Sequence, residues 1–175
     1  DVDTERAHAW RYRDYVIQSF NEDKPYDTFI TEQLAGDELI TSPINNLSTA
    51  DAKLLAATGF LRMAPDGTGD AVPDKALAQN DTVADTLKIV SSSLMAMTVG
   101  CAQCHDHRYD PISQADYYRM RAIFEPAFDC EQWKTPAQRR VSLYTDADRK
   151  LAAEVEANAK KLDAEHKAKQ TEYIN

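Results

Sequence analysis

The sequence predicts a mainly α fold with a long C-terminal helix. Three observations carry this. Apolar residues recur at helical spacing along most of the chain. Five glycines and seven prolines fall between those periodic stretches and act as punctuation. Period-two alternation is scarce, and VSLYT at 141–145 is the best strand candidate.

Each helix is justified in turn. Trp10, Tyr15, Val16 and Phe20 lie near helical spacing, so about Glu5 to Phe20 reads as amphipathic. Asn21 to Pro25 breaks it. Tyr26 to Ala35 is the second helix, with Phe29, Ile30 and Leu34 on one face and Gly36 as its C-terminal cap. Ser48 with Asp51 opens a third, which Gly59 ends. Arg62 to Asp81 reads as loop. Asn80 or Asp81 caps a fourth helix, TVADTLKIVSSSLMAMTV, running to Gly100, with Val83, Leu87, Val90, Leu94 and Met97 as its stripe. Ser113 with Asp116 opens a fifth, which Pro126 closes. Thr145 with Asp148 opens the last, from about Ala147 onward. Its thin seam of Leu151, Val155, Leu162, His166 and Tyr173 suits a coiled-coil arm. Two parts are expected: a helical core over 1–144 and a charged arm over 145–175.

With 43% hydrophobic and 28% charged residues, the 175-residue chain has the composition of a globular protein. Its net charge of -9 and lack of a basic stripe exclude a nucleic-acid partner. No apolar run reaches the roughly 20 residues that span a bilayer. Helical pattern at both ends reads as an inner piece of a larger protein.

GCAQCHDHRYDP, residues 100–111, holds two of the three cysteines and two of the four histidines. C-x-x-C-H is the attachment signature of c-type haem. Cys101 and Cys104 lie about one turn apart, so two thiols can add to two vinyl groups on one porphyrin edge. His105 then supplies the proximal iron ligand. Zinc needs four ligands. Cys101, Cys104, His105 and His107 are cramped in one seven-residue loop, with no second CxxC. A disulfide pair, within a non-haem structural module, is the remaining alternative.

The stretches AWRYRDYVIQSFNEDKPYDTFITEQLAGDEL, LAATGFLRMAP and NDTVADTLKIVSSSLMAMTVGCAQCHDHRYDPISQADYYRMRAIFEPAF cover roughly residues 6–130. Together they resemble the cytochrome-bearing core domain of large planctomycete-type proteins. In that family the domain carries an internal CxxCH. It often accompanies an N-terminal cytochrome c module and a second large domain of unknown function. The resemblance implies a periplasmic or exported c-type cytochrome, associated by its neighbours with polysaccharide breakdown. It also carries Cys101, Cys104 and His105 over as haem-binding residues.

The distal iron position separates electron transfer from catalysis at an open iron. Met63, His8 and Met120 are the candidates, in that order. Met95 and Met97 are read as core filler. Arg108 suits a haem propionate, because guanidinium matches a carboxylate bidentately. A main-chain carbonyl of the HDHRYDP turn is expected to accept the Nδ1 proton of His105. Trp10 is read as core, with Arg11 and Arg13 paired to acids such as Asp14. Asp81, Asp85 and Lys88 are read as a cap and an ion pair. Cys130 has no partner within the chain. One haem c is expected, with a redox partner or fused cytochrome domain, and other segments of the same protein, as partners. A haem enzyme acting on a saccharide-related substrate is the alternative function.

Overall fold

The structure is a computed structural model that describes residues 6–69 and 73–174. Six α-helices and two short 3-10 helices make up the described chain, with no strand among the described residues. The chain divides into two compact units. One comprises Asp1–Ile40 with Lys53–Arg140, the other Thr41–Ala52 with Val141–Asn175.

The first unit begins with α1, Trp10–Asn21. The upstream end of the expected helix, Glu5, lies outside the described residues. Its inward face is Tyr12, Tyr15 and Ser19, not Trp10 and Phe20. Trp10 is 43% exposed and Phe20 75%. The choice of face follows from α2, Tyr26–Ala35. Tyr15 stacks on Phe29 at 5.9 Å. The hydroxyl of Tyr12 donates to Gln33 (2.6 Å) and that of Tyr15 to Glu32 (2.8 Å). Aromatic rings with a polar tip are buried where the tip finds an acceptor, and Trp10 has none in that position. Burial, then the neighbouring Glu32 carboxylate, raises the Tyr15 pKa.

Gly36 follows α2 with φ -61, a right-handed conformation. It takes the C-cap position the sequence suggested, without the left-handed turn that commonly goes with it. Its glycine is required by close approach: a Cβ there would lie 2.4 Å from the Leu54 carbonyl oxygen. α3, Thr49–Ala57, continues as a 3-10 helix, Thr58–Arg62, straight through Gly59. A Cβ at Gly59 would sit 3.0 Å from the Cβ of Tyr12. Both glycines serve packing; Gly36 also caps α2, whereas Gly59 does not end its helix.

α4 spans Lys75–Leu94 and is capped by Asp74, whose carboxylate accepts the Leu77 N–H. It starts earlier than expected from Asn80 or Asp81 because Asn80 is taken by Arg121, its side-chain oxygen accepting at 2.9 Å. It also stops earlier, at Leu94. Ala96 adopts φ 53, and the N–H groups of Met95 and Met97 both donate to the Ser91 carbonyl at 3.1 Å. The chain thereby leaves the helix five residues before the motif. Asp85 and Lys88 form no ion pair with each other.

α5, Gln114–Phe128, opens with the expected capping box of Ser113 and Asp116. It passes through Pro126 and ends at Phe128. Proline removes one helical hydrogen bond, and burial of Phe128 stacked on Trp133 at 5.9 Å offsets that loss. The stack continues outward on both sides. The Arg62 guanidinium lies 4.6 Å over Phe128 and that of Arg139 lies 4.8 Å over Trp133. Asp66 closes it with an ion pair to Arg139 at 2.6 Å. Burial, and then the charge of Arg139, pull the Arg62 pKa down to about 10.

In the second unit, Asp51 accepts from the N–H and hydroxyl of Ser42 and from the N–H of Thr41, while Ser48 Oγ accepts the Asp51 N–H. α6, Asp146–Ile174, is exposed along its described length and opens with Thr145 and Asp148 bonded reciprocally. Arg149 donates to the Asn45 carbonyl at 2.6 Å. The stretch 141–145 is irregular, because no neighbouring strand offers it a ladder.

Two outcomes follow from this packing. Gly36→Ala forces the Leu54 carbonyl to move and is expected to cost about 1–3 kcal/mol in urea unfolding; no loss would disprove the close approach. Ser42 holds the Asp51 carboxyl below its ordinary pKa. Burial raises that of Asp66, but bonds from Thr68 and Arg139 outweigh it and leave the pKa lowered. A depressed folded pKa contributes stability above the ordinary value and loses it as pH falls. Urea midpoints should therefore decline progressively from about pH 5 downward; a flat profile would contradict it.

Candidate functional site

The site is built on a 3-10 helix, Gly100–Gln103, that follows α4. This short turn packs on α4 and α5. Ala102, its middle residue, is fully buried in a cluster with Val83, Leu87, Val99, Ile112, Tyr117 and Phe128. Burying the middle of C-x-x-C turns the flanking residues outward. Cys101 and Cys104 are both exposed, and both thiols are free.

The first turn of α5 grips this segment at three points. Gln114 donates through Nε2 to the Gln103 carbonyl (3.1 Å), and the Tyr118 hydroxyl donates to the same oxygen (3.2 Å). The Gln114 main-chain N–H donates to Asp106 Oδ1 at 2.8 Å. Sequence reasoning missed Gln114 and Tyr118. The signal available was the Ser113–Asp116 capping box, which fixes Gln114 as the first residue of α5 with an N–H free to donate.

Two histidines stand two residues apart and are held in opposite tautomers. His105 Nδ1 lies 2.8 Å from the Asp106 carbonyl oxygen. A carbonyl only accepts, so the neutral ring carries its proton on Nδ1 and leaves the Nε2 lone pair free. His107 is the reverse. Its Nδ1 faces the N–H groups of Asp110 (2.9 Å) and Tyr109 (3.4 Å), which only donate. The Asp110 carboxylate is farther from the same nitrogen, at 3.2 Å. Nδ1 is thus the acceptor, and Nε2 carries the proton toward Thr98 Oγ1 at 3.4 Å. The His107 side chain is only 7% exposed. It pins the loop and has no lone pair to offer a metal.

Two exposed thiols and one imidazole with a free Nε2 on a single short turn are the donor set that haem c requires. The Tyr117 side chain is buried in the core beside Arg121, whose Nη1 donates to Asn80 Oδ1 at 2.9 Å. By contrast, no three His, Cys, Asp or Glu side chains converge as a metal-ion site among the described residues.

The other candidates are placed as follows. Met120, on α5, is half-buried and packs against both core clusters. Met63 is 56% exposed and borders a shallow hollow with Trp10, Tyr12, Val16 and Ile17 of α1. His8 is exposed just before α1. Met97 is half-buried against the cluster that holds Ala102, and Met95 is exposed. Arg108 is exposed, with its guanidinium 5.8 Å from the Tyr109 ring centroid. Arg11 stacks on Trp10 and Arg13 pairs with Asp14. Cys130 is half-buried beside Trp133, and burial pushes its thiol pKa up.

His107→Ala is expected to leave the Asp110 and Tyr109 N–H groups without their acceptor and to cost about 1–2 kcal/mol in urea unfolding. A variant as stable as the parent would remove His107 from its pinning role.

Residues 1–128 match the family described as PSCyt2, protein of unknown function (DUF1549), and the chain belongs to that family. No curated protein and no solved structure matches the chain.

Proposed function

We propose that this member of the family is a haem c-binding domain of a larger extracytoplasmic protein, and that it carries single electrons. One observation supports the reading above the others: His105 presents a free Nε2 beside two exposed thiols, while neighbouring His107 is committed to the loop. Haem c, when bound, supplies a one-electron iron centre tethered through two thioether links.

The chain's own residues divide the remaining work. The Cys101 and Cys104 sulfurs would hold the porphyrin edge, and His105 Nε2 would take the proximal position. Buried Ala102 keeps the two sulfurs on the outer side of their turn. Arg108, exposed beside the Tyr109 ring, is suited to a propionate carboxylate. Val99 and Met97 give the segment an apolar footing against the core.

The zinc alternative loses its fourth ligand, because the Nε2 proton of His107 points to Thr98 and its Nδ1 accepts main-chain N–H groups. Haem c is attached outside the cytoplasm, so the protein belongs in the periplasm or beyond, consistent with the planctomycete-type resemblance. Its partner is then a redox protein or a cytochrome domain fused to it. An open iron acting on a substrate is the second reading, and the distal ligand among Met63, His8 and Met120 separates the two.

The test is spectroscopic. The purified natural protein should give a thioether-type alkaline pyridine haemochrome with one haem per chain. Its reduced spectrum should show sharp α and β bands that ignore carbon monoxide. No Soret band would sink the haem reading. Broad bands that shift with carbon monoxide would replace the electron carrier with an open-iron site.

A further inference from the structure

We infer that Asp106 is the residue that positions His105, and this inference rests on the haem reading above. Asp106 uses two different oxygens. Its main-chain oxygen accepts the His105 Nδ1 proton at 2.8 Å, and its Oδ1 accepts the Gln114 N–H at 2.8 Å. Gln114 opens α5, so this N–H is one of the donors a helix leaves unpaired at its positive end. The carboxylate is therefore drawn to a fixed point on a helix that is itself capped by Ser113 and Asp116.

The same peptide plane is held from its other side. The N–H of His107, which shares a peptide with the Asp106 carbonyl, donates to the Ile112 oxygen at 2.8 Å. Ile112 belongs to the buried cluster. The acceptor of the His105 ring is thus tied to the core through Ile112 and to α5 through its own side chain. His105 and Asp106 are both exposed. Without the side-chain tie, a carbonyl in an exposed loop turns toward water and the ring loses its fixed orientation. A firmly held Nδ1–H bond makes an imidazole a stronger donor to ferric iron and fixes its plane.

Asp106 also carries a negative charge, which would favour ferric iron by itself. Substitution pairs separate charge from position. Asp106→Asn keeps the acceptor oxygen and loses the charge, whereas Asp106→Ala loses both. Gln114→Pro removes the main-chain donor at a helix position where proline is well tolerated. Gln114→Ala controls for the loss of its side chain.

The experiment is a redox titration of the natural full chain and these four variants, with far-UV circular dichroism on each. Exchange of the His105 Nδ1 proton with water is followed by NMR. Asp106→Ala and Gln114→Pro are each expected to shift the ferric-to-ferrous ratio at fixed potential about tenfold toward ferrous, ~59 mV. Proton exchange should quicken about tenfold in both. Asp106→Asn and Gln114→Ala should show less than half of either effect. If Asp106→Ala does not fold, Gln114→Pro decides. Equal shifts in Asp106→Ala and Asp106→Asn, with unchanged exchange, would overturn the inference and leave only charge. A natural protein without haem would overturn the functional reading instead. Proton exchange in that same haem-free chain would still decide whether Asp106 orients the ring.

Discussion

Burial of Ala102 is the constraint on which the site depends. A one-methyl side chain lets the 3-10 turn press against Val83, Leu87, Val99 and Tyr117, with no side-chain atom of Ala102 left exposed. Once the middle of the turn faces inward, Cys101 and Cys104 must face outward, and His105 continues from the outer side. The loop that follows is too polar to pack by itself. Its order comes from His107, which gathers two main-chain N–H groups, and from the first turn of α5. Core packing exposes the thiols, and a short chain of hydrogen bonds sets the imidazole.

The two histidines show how a common residue type acquires different roles. A neutral imidazole offers one donor and one acceptor. His105 meets a carbonyl and keeps Nε2 free; His107 meets N–H groups and gives up Nδ1. Neither assignment needs a charged neighbour. Main-chain groups two residues apart decide which ring keeps a free Nε2 and which can only brace the loop. The rest of the first unit supplies the frame. Tyr12 and Tyr15 hold α1 to α2, and the Arg62–Phe128–Trp133–Arg139 stack secures the end of α5.

Much of this was legible in the sequence, and the exceptions share a cause. α2, the start of α5 and the start of α6 were legible because their signals are local, a capping box above all. The α4 ends were not. Three Asx residues could cap it; Asp74 does, while Asn80 accepts from Arg121 on α5. Its C-terminus hangs on Ala96 at φ 53, a conformation that alanine gives no reason to expect. Gly36 stops α2 as expected and is also a contact point with Leu54, whereas Gly59 looked like a stop and is a contact point with Tyr12. Pro126 looked like a stop and is tolerated because Phe128 is buried beyond it. At the site, the residue types and their spacing were legible. The tautomers were not, because they depend on which main-chain group the folded loop brings to each nitrogen.

The most direct measurement of the central claim is mass spectrometry of the tryptic peptide spanning residues 89–108 from natural protein. The account requires this peptide to carry the added mass of one haem, bonded at both Cys101 and Cys104. An unmodified peptide, or one joined only by a disulfide between Cys101 and Cys104, would contradict it.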